Sequence, residues 1–584
     1  MRSVRFFPRF LFLIACIAPA WAIAVWVTGG VGGRVFGMTI ASRDPVRPLV
    51  LGVAAAIAYG WAFRRNFAAD TAWSEERGRT LLAPLSLTLA VATFGVGIAW
   101  GTFVASGADP YGYVSQADLW LRGQLRTSQA WVGDFPWPDV DWTFSPLGYR
   151  PATIPHSIVP AYASGLPLLM AAAKSVAGAN GPFYVVPLLG ALAVWLTYKL
   201  GRDWTNRRAV GALAAVLLAV SPTFLYQLMW PMTDVAVAAL WVAASLAACH
   251  RRRPRPIVAG LFVAAAVLIR PNLILIALAL PAGWILPAVR RPLLRRDAAI
   301  ITAWYAVGLT PGIVSVAAID LYLHGSPLAS GYGSLAELYS ARNVAANVSR
   351  YSRWLIETQT PIVCLCLLAL VMKQTLRSED GDRVSLRGGF CVVAIAIALS
   401  YLTYGVFEDW WYLRFFLPIF PLVVTLVAAA SVWLMSKVWR PIRVPLALLL
   451  VVSFAAYEIT IAADRAVFNL KRLEHRYVDS AEHVARLTPA SAVVLSMQHS
   501  GSVRYYTGRQ TLRYDFLAPE WLEGAVAALN AKGFRCYALL DSWEEPIFRD
   551  RFGAFTRLGR LDWRPLAEVP GPIRVRLFDL DSKN

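Results

Sequence analysis

The chain is built from long apolar runs separated by short polar ones. About twenty consecutive apolar residues are what a helix needs to cross a bilayer. The pattern predicts thirteen such helices, near 10–28, 48–64, 80–105, 182–200, 209–227, 233–249, 257–270, 272–288, 299–323, 353–372, 388–407, 415–436 and 442–463. From Asp464 onward the pattern changes. Strand-like runs (Ala492–Ser496, Arg535–Leu540, Arg574–Phe578) alternate with helix-like ones (Val478–Leu487, Pro519–Ala531), which predicts a small α/β domain with its own core. The expected fold class is a polytopic all-α membrane protein with a C-terminal extracytoplasmic α/β domain. Residues 1–79 would hold two N-terminal helices, 80–463 a membrane module with a large first outer loop at 106–181, and 464–584 the outer domain.

Basic residues orient this arrangement. Clusters lie at Arg2, Arg5 and Arg9; Arg64, Arg65, Arg77 and Arg79; Arg202, Arg207 and Arg208; Arg251, Arg252, Arg253 and Arg255; Arg290, Arg291, Arg295 and Arg296; Lys373, Arg377, Arg383 and Arg387; and Lys437, Arg440 and Arg443. With thirteen helices all of them fall on one side, which the positive-inside rule makes cytoplasmic. The first helix, with an apolar run long for a signal peptide, reads as an uncleaved anchor. Composition agrees with the class: 584 residues, 57% hydrophobic and 16% charged, with mean hydropathy +0.50. The net charge of +20 does not point to nucleic acid, because the basic residues are dispersed between apolar spans. Six scattered cysteines suggest no structural disulfide. The Ala- and Arg-rich usage suggests a bacterial inner membrane, with the N-terminus cytoplasmic and the outer segments periplasmic.

The outer side then carries the candidate chemistry. Ser106–Asp118 follows an apolar span with an aspartate and an aromatic-rich stretch, a setting suited to acid–base work at a membrane surface. The loop to Gly181 holds Tyr111, Tyr113, Trp120, Trp131, Trp137, Trp142, Tyr149 and Tyr162, and its apolar part 161–176 reads as a helix lying in the interface. Each charged candidate has a structural counterpart. Asp109 before Pro110 suits a turn, Asp234 suits a helix start beside Thr233, and Arg270 suits a snorkelling helix end. Arg414, among Trp410, Trp411, Tyr412 and Phe415, suits an interfacial anchor. Asp118 would follow Asp109 by about two turns if that stretch is helical. His156 and Lys174 are outward and polar, with no partner fixed by the sequence.

Four segments carry a resemblance to a known family. They are Ala108-Asp109-Pro110-Tyr111-Gly112-Tyr113, the run Tyr162 to Leu168, Pro231-Met232-Thr233-Asp234 with the later Arg270-Pro271-Asn272, and Tyr412-Leu413-Arg414-Phe415-Phe416-Leu417-Pro418. In order and sidedness the chain resembles the GT-C superfamily of integral-membrane glycosyltransferases, which includes protein O-mannosyltransferases and aminoarabinose transferases. The match covers roughly residues 80–436.

The resemblance implies transfer of a sugar, with inversion, from a polyprenyl-phosphate donor to an extracytoplasmic acceptor that is a glycan, lipid or protein. It implies Asp109 as general base and Asp234 as a second catalytic residue. Arg270, Arg414 and Arg150 would bind the donor phosphate, and Tyr111, Tyr113, Asp118 and Tyr149 would line the substrate site. No cofactor is required, the family leaves room for a divalent cation (Mg or Mn), and no cluster here has metal-ligand spacing. One departure stands out: aminoarabinose transferases carry Glu and Arg where this chain has Pro110 and Gly112. A transporter or flippase for a lipid-linked sugar, a polymerase or ligase of surface polysaccharide, and a non-catalytic scaffold are the competing readings. Transport would place ionisable residues and broken helices at mid-membrane.

Overall fold

The computed structural model describes residues 6–35, 38–249, 254–372 and 385–581. Arg2, Arg5, Arg251, Arg252, Arg253, Lys373, Arg377 and Arg383 lie outside the described residues. Helices α1 (Phe6–Thr28) and α2 (Val46–Phe63) are joined through an antiparallel hairpin of β1 (Val31–Val35) and β2 (Met38–Ser42). A 3₁₀ turn, Arg64–Asn66, leads into α3 (Phe67–Trp100). Across that turn the Tyr59 hydroxyl donates to Asp70 Oδ2 at 2.8 Å. Eleven residues span about 16 Å of straight helix, so the chain bends at Arg64–Asn66 and α2 and α3 are separate segments.

The expected first outer loop is ordered. It contains α4 (Asp109–Leu121), α5 (Val140–Thr143) and a three-stranded antiparallel sheet of β3 (Thr127–Ser128), β4 (Tyr149–Pro151) and β5 (Ser157–Pro160), with β5 central. The chain continues through α6 (Gly165–Ala177), α7 (Gly181–Thr205), α8 (Arg208–Ala219), α9 (Pro222–Leu228), α10 (Thr233–Ala248) and α11 (Pro256–Ile269). Next come α12 (Ile274–Ala279), α13 (Ala282–Arg290), α14 (Arg295–His324), α15 (Leu335–Leu338), α16 (Val344–Gln359), α17 (Leu365–Val371) and α18 (Leu386–Leu402). A 3₁₀ segment, Trp410–Ile419, runs into α19 (Phe420–Met435), and α20 (Arg440–Asp464) ends the apolar part.

Among the described residues, seven helical stretches are long and apolar enough to cross a membrane, or nine if each bent pair is one crossing, and three shorter apolar helices accompany them. One of the seven, Val46–Trp100, contains two of the expected spans. Two expected spans are broken. The chain turns by 63° between α8 and α9 and by 109° between α16 and α17. At the first break Pro222 has no N–H to give, and the Ser221 hydroxyl caps α9 by accepting from Phe224 N. At the second, Thr360 takes φ +55 ahead of Pro361. The two breaks bond to each other: Gln359 Nε2 donates to Ser221 Oγ at 2.8 Å. That mutual bond satisfies polar groups that hydrocarbon would leave bare. The span expected at 80–105 also ends early, at Trp100, and leaves residues 101–107 as an irregular connection in which Phe103 and Gly107 take positive φ.

Helices pack closely where glycine removes the side chain. A Cβ at Gly260 would lie 2.3 Å from Tyr305 O, and one at Gly308 would lie 2.3 Å from Ile257 O, so α11 and α14 meet backbone to backbone. Large apolar side chains such as Trp61, Val176 and Leu293 point outward, as a lipid-facing surface requires. Several of the basic clusters meet at one end of the bundle: Arg9 pairs with Asp70, Arg440 with Glu75, and Arg208 donates to Arg79 O.

After α21 (Leu470–Glu474) the C-terminal unit begins with α22 (Arg476–Leu487), β6 (Ala492–Leu495), α23 (Ser500–Thr507), β7 (Gln510–Leu512) and α24 (Leu522–Ala531). It continues through β8 (Arg535–Asp541), α25 (Glu544–Phe552), β9 (Ala567–Val569) and β10 (Val575–Asp579). These strands form one sheet in the order β7-β6-β8-β10-β9. β6 runs parallel to β7 and β8, and β10 is antiparallel to β8 and β9. Alternation sends Val493, Leu495, Ala538 and Leu540 toward α24, and Val494, Tyr537 and Leu539 toward α22 and α23, so helices cover both faces.

The α11–α14 contact gives a direct test. Gly308→Leu should destabilise the protein by about 1–3 kcal/mol, the usual cost of overpacking, and lower its melting temperature in detergent. An unchanged melting temperature would mean that the two backbones do not touch.

Candidate functional site

The site grows from four places where helices start or stop. α3 ends at Trp100, and the Thr102 amide then donates to Met229 O at 2.9 Å, tying the connection to the turn before α10. α4 starts at Asp109 with Pro110 in its first turn, where the missing N–H costs nothing. A carboxylate in a first helical turn is favoured in its charged form by the helix dipole. α10 opens just after Met232, and Asp234 lies in its first turn with a side chain only 1% exposed. α11 stops at Ile269 because Pro271 restricts the residue before it, and Arg270 sits in that break. Arg414 lies within the 3₁₀ segment Trp410–Ile419.

These four side chains converge. Arg270 Nη1 donates to Asp234 Oδ1 at 2.6 Å. Arg414 reaches Asp109 Oδ2 at 3.4 Å and lies 4.0 Å from Asp234 Oδ2. The order is Asp109, Arg414, Asp234, Arg270, with charges alternating in sign. The Phe415 ring lies 5.2 Å from the Arg270 guanidinium and 5.4 Å from that of Arg414, and stacks on Tyr401 at 4.9 Å. The Arg270 side chain is 13% exposed, and its charge is matched by the buried Asp234 carboxylate. Asp109, at 27%, has the most exposed side chain of the four.

Tyr113, one helical turn after Asp109, shares its face of α4. The ring of Tyr113 lies 4.9 Å from that of Tyr162, and the Tyr162 hydroxyl lies beside the Asp109 carboxylate. Burial, and then Asp109, push the Tyr113 hydroxyl above its usual range, and the same two causes act on Tyr162. Both phenols stay protonated at neutral pH and can donate to an anion. A Cβ at Gly112 would lie 2.4 Å from the Tyr162 ring, so that ring fills the space an arginine would need there.

The other sequence candidates lie apart from this cluster. Asp118 pairs with Lys174. The Tyr149 hydroxyl bonds Ser115 Oγ at 2.9 Å. The Tyr111 ring packs on Tyr149, Tyr505 and Gly501. Arg150 donates to Ser330 O at 2.9 Å and lies over the Trp142 ring. His156 pairs with Asp141 at 3.0 Å. Tyr162, Tyr401 and Asn272 join the site without having been singled out as site residues. Tyr162 and Asn272 stand inside the quoted motifs, but Tyr401 ends a plain apolar span and gives no local signal.

A divalent cation does not suit this arrangement. Each carboxylate of the cluster is already paired with a guanidinium, and among the described residues no three His, Cys, Asp or Glu side chains converge.

A scan against models of known protein families matches nothing, and no curated protein is similar in sequence. Solved structures do match in three dimensions. ArnT from Cupriavidus metallidurans bound to undecaprenyl phosphate superposes with a TM-score of 0.53 at 12% identity, over 85% of this chain and 98% of that one. The oligosaccharyltransferase AglB from Archaeoglobus fulgidus, in complex with an inhibitory peptide and a dolichol-phosphate, gives 0.50 at 14% identity, over 80% of this chain and 70% of that one. The chain therefore has the fold of the GT-C membrane glycosyltransferases, the superfamily that its motifs resemble.

Proposed function

We propose that this protein is an inverting glycosyltransferase that moves a sugar from a polyprenyl-phosphate carrier to an acceptor on the outer side of the membrane. The observation that carries the reading is Arg414. It is shared between a buried carboxylate and a more exposed one, at the point where several apolar helices end. A lipid phosphate could take over that guanidinium from Asp109. The neighbours seen with undecaprenyl phosphate and with a dolichol-phosphate support this class of carrier.

The reaction balances on these residues. The acceptor oxygen bonds to the anomeric carbon while the bond from that carbon to the phosphate oxygen breaks. The acceptor proton passes to Asp109, and the polyprenyl phosphate leaves with one more negative charge. Attack opposite the leaving group inverts the anomeric centre. Protonation of Asp109 removes its hold on Arg414 as the phosphate gains charge, so the guanidinium moves to where charge develops. Arg270, held at 2.6 Å by Asp234, fixes the second carboxylate and the field around it. Tyr113 and Tyr162 supply neutral donors. No step runs through a cation.

The basic clusters put the opposite end of the bundle in the cytoplasm. The site and the unit from 464 to 584 then face outward, which in a bacterium is the periplasm, and thirteen spans remain the count that fits this sidedness. A flippase is the second reading. The broken pairs α8–α9 and α16–α17 favour it, as does Glu458, buried in α20 with neither carboxylate oxygen hydrogen-bonded among the described residues.

Glycan and glycolipid profiling of cells lacking the protein separates the two. Wild type should restore one missing sugar. Asp109→Asn, present in the membrane at equal level, should restore it at least about 100-fold more slowly, the scale of a lost general base. Full rescue by Asp109→Asn would remove the transferase mechanism and leave the flippase. A binding measurement tests the phosphate site separately. Arg414→Ala should weaken undecaprenyl phosphate binding to the purified protein by about 10–100-fold, the worth of a charged hydrogen bond. Arg414→Lys should recover only part of it, because a point charge does not replace a fork of donors. Wild-type binding by Arg414→Ala, read by native mass spectrometry, would move the phosphate elsewhere.

A further inference from the structure

The C-terminal sheet has a place built for a ligand. From β6 the chain passes through α23 to β7 on one side, then through α24 to β8 on the other. The connections that leave the C-terminal ends of β6 and β8 run into α23 and α25, which pack on opposite faces of the sheet. In doubly wound sheets a crevice opens at that switch point, and it is where ligands bind.

The residues at those strand ends are polar and bonded to one another, and all but the half-buried Gln498 are buried. After β6 come Gln498 and His499, and at the end of β8 come Asp541 and Glu544. His499 Nε2 meets Asp541 Oδ1 at 2.8 Å, and Glu544 accepts from Gln498 N at 3.1 Å and from Asp541 N at 3.2 Å. Arg476 at the start of α22 approaches Asp541 at 3.4 Å. The Tyr477 hydroxyl accepts from Gln498 Nε2 at 2.7 Å and from Arg476 Nη2 at 2.9 Å.

What stands against this cluster is the chain itself. Gly107, at φ +50, lies so close that an added Cβ would be 3.3 Å from Gln498 Nε2 and 3.4 Å from Tyr477 Oη. The Ser106 side chain lies beside the Glu474 carboxylate. The Ala105 amide donates to Tyr506 Oη at 2.8 Å. Beyond Asp109 the grip continues. The Tyr111 ring lies against Gly501, where an added Cβ would come within 2.2 Å of it, and Leu147 N donates to Ser500 Oγ at 3.1 Å. Asp109 therefore sits between two holds, one at 105–107 and one at Tyr111, both supplied by the C-terminal unit.

We infer that the crevice of the C-terminal sheet takes residues 105–107 of the same chain as its ligand, and that Tyr477, Gln498, Tyr506 and Gly501 are positioning residues that aim Asp109. The unit outside the membrane then completes the catalytic loop, and acceptor choice is not its primary task. This rests on Asp109 being the base. A displacement of about 1 Å at a reacting group can cost 100-fold in rate, so a hold on both sides of the aspartate has a direct use.

The test uses the full-length protein in cells lacking it, with membrane level measured for each variant. Gly501→Ala pushes the Tyr111 ring and with it the first turn of α4. It should reduce product formation at least about tenfold while the purified variant still binds undecaprenyl phosphate as wild type does. Tyr506→Phe, which only removes the bond to Ala105 N, should reduce product in the same direction. Wild-type product formation by both Gly501→Ala and Tyr506→Phe would overturn the inference. So would a loss in Gly501→Ala that comes with lost undecaprenyl phosphate binding, since that marks general damage. Asp109→Asn run in parallel keeps the two readings apart. If it is fully active, the base assignment fails. If it is inactive while the positioning variants match wild type, only the inference about the C-terminal unit fails.

Discussion

Two carboxylates share one guanidinium, and the rest of the structure can be understood as what that sharing requires. Arg414 stands between Asp109 and Asp234, and Arg270 closes the far side of Asp234. Removing Asp234 would strip Arg270 of its carboxylate and leave Arg414 only the longer contact to Asp109, and an uncompensated charge at such a buried position costs several kcal/mol. The set is therefore hard to assemble and intolerant of partial loss. Its asymmetry is what makes it useful: the inner pair is tight and nearly dry, and the outer pair is longer and open on the Asp109 side. In the proposed reaction a ligand phosphate would compete at the outer pair and leave the inner one in place.

Holding such a set in place takes backbone breaks, because a continuous helix would carry each side chain past the meeting point. Asp109 and Asp234 lie in first helical turns, where the dipole favours them. Arg270 lies in the gap that Pro271 forces, and Arg414 in a 3₁₀ segment. The same preference for interrupted helices recurs deeper in the bundle, where α8–α9 and α16–α17 break and satisfy each other through Ser221 and Gln359. Aromatic rings fill the space between the charges. Phe415 lies near both guanidiniums and Tyr401 stacks on it, so the positive groups meet π-clouds as well as carboxylates.

Much of this was legible in the sequence, and for identifiable reasons. Asp109 and Arg270 each stand beside a proline and Asp234 stands where polar residues give way to an apolar run, which marks a helix end without any knowledge of packing; Arg414 stands out as a lone charge among aromatic and apolar residues. The strands at 492, 535 and 574 show as β-rich apolar runs and appear within a residue of those positions. Tyr111, Tyr149, Asp118 and Arg150 looked equally good, being polar or aromatic residues in the same loop, yet they turn to other partners. Tyr111 differs from Tyr113 only by two positions on α4, and that rotation of about 200° sends one ring to the C-terminal sheet and the other to the Asp109 side.

The sequence by itself determined the membrane class, the C-terminal α/β unit and the four charged residues, because hydropathy, periodicity and proline act over a few residues. The tertiary structure alone decided which arginine meets which aspartate, that two apolar spans are broken, and that residues beyond 470 grip the segment before Asp109. Those are contacts between positions up to several hundred residues apart, such as Ala105 with Tyr506. No local pattern encodes them, since a hydroxyl or a guanidinium is equally content with any partner of the right charge, and only the packing of the whole chain selects the one it meets.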